Sequence, residues 1–114
     1  MKKSVKKLWT DALRSGQYKQ GIGQLRNEQN EFCCLGVLCN LHAQAHPKIA
    51  KTQLDAEHYL GDDSFPPDEV IEWAGLHNNN PELLYKQEEF TLASLNDASG
   101  LSFKKIAKLI EAQL

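Results

Sequence analysis

The sequence lacks long apolar runs, and this shortage limits where the protein can reside. No apolar stretch approaches the roughly 20 residues that a membrane-spanning helix needs. The basic start Met1–Lys7 is typical of the first part of a signal peptide, but Thr10, Asp11 and Arg14 interrupt the apolar segment that would have to follow. We therefore expect neither membrane insertion nor export, and we predict a cytoplasmic location.

The chain also has no excess of positive charge. Its 114 residues carry a formal net charge of −2, so nothing global draws the protein to nucleic acid or to an anionic membrane. The basic cluster Lys2, Lys3, Lys6 and Lys7 is interpreted as a solvated helix face, with a phosphate-contacting arm as the alternative. A composition of 41% apolar and 25% charged residues predicts a packed core, and the length predicts a single domain, residues 1–114.

Signatures of common catalytic and cofactor sites are missing as well. The sequence contains no CxxC knuckle, no Walker loop, no six-residue dinucleotide fingerprint and no ordered Ser-His-Asp set. Asp62 and Asp63 could bind a hard cation, but no calcium-loop pattern surrounds them. We therefore predict no cofactor.

Three cysteines, Cys33, Cys34 and Cys39, are crowded into seven positions. Their number is odd and the side chains of adjacent helical residues diverge, so we expect reduced thiols and no disulfide. The favoured interpretation is burial in the core. The alternative is that Cys33 or Cys34, near a helix N-terminus, is a nucleophile activated by one of the four histidines.

A metal site is a second alternative for the same segment. Cys39, His42 and His46 fall at i, i+3 and i+7, which places them on one face of a helix. Such a face can hold a metal ion if a fourth group or water completes the coordination. The favoured interpretation is that these three side chains are unrelated residues near the end of an apolar helix.

Helical periodicity is clearest at the two ends of the chain. Ser4 is predicted to cap a first helix, which Gly16 would end in the left-handed conformation. Ser102 is predicted to cap the last helix. The apolar stripes are Val5, Leu8, Trp9, Ala12 and Leu13 in the first helix and Phe103, Ile106, Ala107, Ile110 and Leu114 in the last.

Phe32–Ala45 is apolar almost all round, which predicts a buried central helix in which Gly36 permits close packing. Pro66-Pro67 is predicted to open a short helix over Asp68–Gly75. Gln17–Arg26 favours a short hairpin, and part of Leu83–Leu95 a further extended segment. The fold class is therefore predicted as α+β, with about four helices around the central helix and a small antiparallel sheet; an all-α fold is the alternative.

Two polar segments flank the apolar centre and are the predicted ligand site. In Gln20–Arg26, Gly21 and Gly23 would let a ligand approach the backbone, and Arg26 would hold a phosphate or carboxylate. Gln20, Asn96 and Asp97 would bond the polar edge of this ligand, although a bulged strand also explains the glycines. A structural reason also exists for Asn96 and Asp97, because the sequence from Asn96 to Gly100 predicts a turn.

The chain resembles a family of small uncharacterised proteins from bacteriophages and bacterial genomes. The resemblance rests on a tryptophan-bearing first helix, QGxGxLR at Gln20–Arg26, CCLGVLC at Cys33–Cys39, a proline-led helix at Pro66–Leu76, and a closing LND with SFxxIAxxI. It implies no catalytic residue. It implies a setting, in which small phage proteins act on their host by binding a host protein or by capturing nucleotide signals of defence.

These observations predict an accessory binding protein, with a small anionic, nucleotide-like ligand as the first hypothesis. An adaptor that covers a host protein is the second hypothesis, and a small enzyme that uses Cys33 or Cys34 is the third. Nucleic acid and membranes are not expected as partners.

Overall fold

Five helices and one small sheet make up the described part of the chain. The computed structural model describes residues 1–48 and 64–114, so Asp62 and Asp63 lie outside it. In chain order the elements are α1 (Lys3–Arg14), α2 (Cys34–Ala45), α3 (Asp68–Ala74), β1 (Glu82–Tyr85), β2 (Glu88–Thr91), α4 (Leu92–Asp97) and α5 (Phe103–Gln113). The α+β prediction is confirmed, and the antiparallel sheet rules out the all-α alternative.

The central helix is α2, which packs against α1, α3 and α4. Most of its residues are buried, as its nearly continuous apolar sequence predicts. The helix begins at Cys34, two residues later than expected, because Cys33 is its N-cap and accepts a hydrogen bond from the Gly36 N–H. Trp9 is fully buried and donates from its indole Nε1 to the Cys34 carbonyl at 2.9 Å, which joins α1 to the start of α2.

The helix ends follow local signals in most cases. Ser102 accepts from the Lys105 N–H, and Gly16 has the predicted positive φ angle, 78°. Gly75, which ends α3, also has a positive φ angle, 72°. The prediction for Ser4 is wrong: the N-cap of α1 is Lys2, two residues earlier, and no side chain caps the helix. None of the described helices is both long and apolar enough to cross a membrane.

The sheet is the hairpin of β1 and β2, in which Leu83 pairs with Phe90. Lys86 and Gln87 both have positive φ, which is typical of a two-residue turn whose twist matches the strands. The side-chain amide of Gln113 accepts from the Leu84 N–H and donates to the Leu84 carbonyl, so α5 covers the outer edge of β1 at this point.

One local prediction is wrong, and another is correct only in part. Gln17–Arg26 forms no hairpin; Gln20 and Arg26 make only isolated bridges to Phe32, because the left-handed Gly23 (φ 82°) interrupts an extended ladder. The turn predicted over Asn96–Gly100 begins only at Ala98, because Asn96 and Asp97 are the last residues of α4, which Thr91 caps by accepting from the Ser94 N–H.

Candidate functional site

Asn96 is the centre of a buried hydrogen-bond network. Its side chain is 1% exposed, and its Oδ1 accepts from Gln20 Nε2 at 2.9 Å and from the Cys34 N–H at 3.2 Å. Its Nδ2 donates to the Gly21 carbonyl at 2.8 Å and to Asp97 Oδ1 at 2.7 Å. These four bonds use the full capacity of an amide. Four of the predicted ligand-binding residues therefore do meet, as the Asn96 network, but they bond one another.

The partners of Asn96 are equally occupied. Gln20 Nε2 also donates to the Leu101 carbonyl at 2.8 Å. Gly21 is buried, and a Cβ at this position would lie 2.7 Å from Glu31 Cβ, so chain and not ligand fills the space beside it. Gly23 is exposed, with nothing within 4 Å of an added Cβ. The network therefore ties the loop before α2 to α4.

Arg26 lies elsewhere, in an open pocket of about 340 Å³. Its guanidinium carbon stands 5.5 Å from the centre of the Phe32 ring, in a cation–π contact. This space, named the Arg26 pocket, is lined by Gln17, Tyr18, Arg26, Asn30, Phe32, Asn40 and Gln44. Asn96 and Asp97 are not among the lining residues, so the predicted site divides into two places.

The guanidinium of Arg26 has unmet bonding capacity. Its Nε is buried and has no hydrogen-bond partner. No ion pair joins Arg26 to a carboxylate in residues 1–48 and 64–114, whereas the chain's other arginine, Arg14, is paired with Glu111 at 2.6 Å. Because buried polar groups are nearly always bonded, this nitrogen marks the pocket as incomplete.

Three side chains beside Arg26 orient one another. Tyr18 donates from its hydroxyl to Asn40 Oδ1 at 2.6 Å, and Gln44 Nε2 donates to the same oxygen at 3.2 Å. Both donors occupy the oxygen of Asn40, so its Nδ2 is the end left for a ligand. Burial raises the pKa of Tyr18, opposed by its hydrogen bond with Gln44, and the phenol stays protonated as a donor.

The cysteines have the character of core residues. Cys33, Cys34 and Cys39 are all buried, and Cys34 is fully so. Burial is the largest cause of a raised pKa at both Cys33 and Cys34. It raises the pKa of Cys33 to about 11, although the N–H groups of Gly36 and Leu35 stabilise the thiolate and oppose the rise. It raises the pKa of Cys34 well above its usual range. Burial therefore opposes formation of the thiolate that a nucleophilic Cys33 or Cys34 would need.

The native protein is therefore expected to react slowly with a thiol reagent. With its pKa near 11 instead of 9.0, Cys33 holds about 100-fold less thiolate at neutral pH than an exposed cysteine does. The measurement is the rate of disulfide-reagent labelling in native and guanidinium-unfolded protein, which serves as the control. Fast labelling of one thiol in the native protein would contradict this and support the cysteine-enzyme alternative.

Within the described residues, Cys39, His42 and His46 are not arranged as a metal site. The rings of His42 and His46 are stacked with centres 4.2 Å apart, and His46 Nδ1 bonds the His42 carbonyl at 2.9 Å. Trp73 of α3 packs edge-on against His42 at 5.2 Å. Burial lowers the pKa of His42, and the nearby charge of His46 lowers it further, whereas the negative charge of Glu69 acts to raise it. Within the described residues, no group of three or more potential ligands is placed to hold a metal.

Sequence reasoning missed Tyr18, Asn40 and Gln44. A signal for the last two is present, because they stand four residues apart on an otherwise apolar helix and therefore share one face. Tyr18 carries no comparable signal. Its place beside Phe32, with ring centres 5.1 Å apart, depends on the path of the loop before α2.

The fold and the Arg26 pocket together define a small α+β domain with an open, arginine-containing polar pocket. The chain belongs to the family described as a domain of unknown function (DUF8296), whose model matches residues 1–114. This confirms membership of a family of uncharacterised proteins, and the phage origin stays a prediction. No curated protein and no solved structure matches the chain.

Proposed function

We propose that this protein binds a small anionic ligand in the Arg26 pocket. The observation that carries the proposal is the buried Nε of Arg26, which has no hydrogen-bond partner. Burying part of a cation without a partner is unfavourable, and a bound oxyanion supplies both the missing acceptor and the missing charge.

The chemistry of the lining supports an anion over other ligands. The described residues around the pocket include no carboxylate, and most of the lining is polar. The nearby carboxylate of Glu31 is already engaged by Asn27 at 2.8 Å and by Lys19 at 3.3 Å. An incoming anion therefore meets one cation and several amides, with no negative side chain in the lining to repel it.

The Asn96 network has a supporting part in this proposal. It anchors Gly21 and Gln20, which begin the loop that ends at Arg26. Phe32 receives a backbone bridge from each end of this loop, at Gln20 and at Arg26. The network holds the loop while the guanidinium binds the ligand.

The resemblance to phage proteins adds a biological form of the proposal. In that setting the anion is a nucleotide-like signal of host defence, captured in the cytoplasm of an infected cell.

The adaptor alternative needs a contiguous apolar patch. The large apolar side chains exposed among the described residues, Leu8, Ile22, Phe65 and Leu84, stand on four different segments. They give that alternative no specific support.

The proposal is tested by thermal shift and calorimetry with a panel of mononucleotides, dinucleotides and inorganic phosphate. Stabilisation by ligand follows mass action, so a ligand at 100 times its Kd is expected to add about 2.7 kcal/mol to the free energy of unfolding. Arg26→Gln should abolish this shift. Arg14→Gln, the same substitution at the chain's other arginine, is the matched control and should keep it.

Two results count against the proposal. A panel in which no anion shifts the melting temperature of the native chain would overturn it. An equal loss of binding in Arg14→Gln and Arg26→Gln would show that general charge, and not the pocket, attracts the anion.

A further inference from the structure

The polar groups of the Arg26 pocket specify a ligand class more narrowly than charge alone. Resting on the proposed function, we infer that the pocket recognises a phosphate monoester of a hydroxyl-bearing group, the sugar-phosphate part of a nucleotide, and leaves the base outside.

The donors favour phosphate over carboxylate. A planar guanidinium binds a carboxylate through both of its oxygens, so the Nδ2 of Asn40 would have to share an oxygen that Arg26 already bonds. A phosphate monoester has three terminal oxygens. It can therefore bond Arg26 through two oxygens and Asn40 through the third, so both kinds of donor that line the pocket are used.

The rest of the lining fits hydroxyl groups. Gln17 and Asn30 present amides, each with a donor end and an acceptor end, which match hydroxyls that also donate and accept. The Tyr18 hydroxyl donates its hydrogen bond to Asn40, so only the lone pairs of its oxygen, one of them approached by Gln44, are left to accept from a ligand hydroxyl. Such a surface suits a sugar better than an apolar group.

The aromatic surface does not suit a nucleobase. Base stacking needs an open ring face, and each stacked base contributes about 1–3 kcal/mol. Phe32 is only 7% exposed. The guanidinium of Arg26 lies over its ring, and the ring of Tyr18 contacts it in an edge-to-face arrangement with an interplanar angle of 89°. The volume of about 340 Å³ is also near the lower end of ligand pockets, about 300–1,000 Å³, and the pocket is open.

The experiment is calorimetry on the full chain with ribose 5-phosphate, AMP, UMP, adenosine, 2-deoxyribose 5-phosphate and acetate. Ribose 5-phosphate, AMP and UMP are expected to bind with Kd values within about threefold of one another, since a stacked base would change Kd by about fivefold or more. Adenosine and acetate should give no measurable heat. The deoxy sugar should bind about fivefold more weakly or worse, because one hydrogen bond of about 1 kcal/mol or more is lost.

A charge variant tests the phosphate contact itself. Asn40→Asp keeps the oxygen that Tyr18 and Gln44 bond, so the fold is retained, but it replaces the Nδ2 donor with a negative oxygen. It should lower the affinity for ribose 5-phosphate at least tenfold. Asn78→Asp is the matched control, because Asn78 likewise uses only its Oδ1, to accept from the Asn80 N–H, and lies outside the pocket.

The outcomes separate this inference from the proposed function. Binding of AMP that is tenfold tighter than that of ribose 5-phosphate, or a large difference between AMP and UMP, would overturn the inference and leave anion binding intact. Binding of acetate without phosphate esters, or an unchanged affinity in Asn40→Asp, would do the same. A chain that binds no anion at all would overturn both.

Discussion

Replacing Gly36 with alanine is expected to lower the free energy of unfolding by about 1–3 kcal/mol, as overpacking of a core does. A Cβ at this position would collide with the carbonyl oxygen of Leu25 and would lie 2.6 Å from its carbonyl carbon. Backbone cannot rotate away as a side chain can, so α2 would have to move from the loop before it. Urea unfolding followed by circular dichroism measures the change.

Helix propensity predicts the opposite sign for this substitution. Alanine in place of glycine inside a helix adds about 1 kcal/mol of stability when nothing obstructs it. The matched control is Ala45→Gly, at an exposed position of the same helix, where a modest loss from propensity alone is expected. A stabilised Gly36→Ala variant would show that α2 and Leu25 separate at little cost and that the close approach does not constrain the fold.

The parts of the fold with strong local signals are predictable from sequence. Phe32–Ala45 has few polar residues, so a helix there must be buried whatever surrounds it. Ser102 predicts the start of α5, because its side chain accepts a hydrogen bond from the first turn. The acidic residues Asp68 and Glu69 predict the start of α3, because negative charge is favourable at a helix N-terminus. These signals act within a few residues and need no knowledge of the tertiary structure.

The elements that the sequence did not predict depend on contacts between residues far apart in the chain. Helix α4 has only six residues, too few for helical periodicity to stand out, and it is held by the Thr91 cap and by packing on α2. The loop Gln17–Arg26 has the composition of a strand. Its path is instead set by two bridges to Phe32 and by the Asn96 network. Neither constraint is visible in a local window.

The candidate site shows the same division. The sequence identifies Gln20, Arg26 and Asn96 as polar residues beside an apolar core, and all three make contacts that join separate segments. Sequence alone does not distinguish an amide that faces a ligand from one that bonds the chain. That distinction needs a count of hydrogen-bond partners in the structure. The side chain of Asn96 makes four hydrogen bonds, whereas the Nε of Arg26 makes none.

Asn96→Leu is expected to have the larger effect, a loss of about 2–6 kcal/mol, because two buried backbone groups each lose a partner at a cost of about 1–3 kcal/mol. These groups are the Cys34 N–H and the Gly21 carbonyl. Leucine has a similar size and prefers burial, so a cavity is not the cause of the loss. Urea unfolding gives the total, and native-state hydrogen exchange at the Cys34 amide reports the local part.

Asp97→Asn is the matched control for Asn96→Leu, since it changes the neighbouring, exposed residue and keeps an oxygen that can accept from Asn96 Nδ2. Its unfolding free energy should stay within about 0.5 kcal/mol of the native value, as surface substitutions usually do. If Asn96→Leu proved as stable as this control, the two backbone groups would have found other partners, and Asn96 would not be what fixes the loop. A large loss confined to Asn96→Leu would instead mean that the position of Arg26 depends on an amide in a different helix, with 69 residues of chain between them.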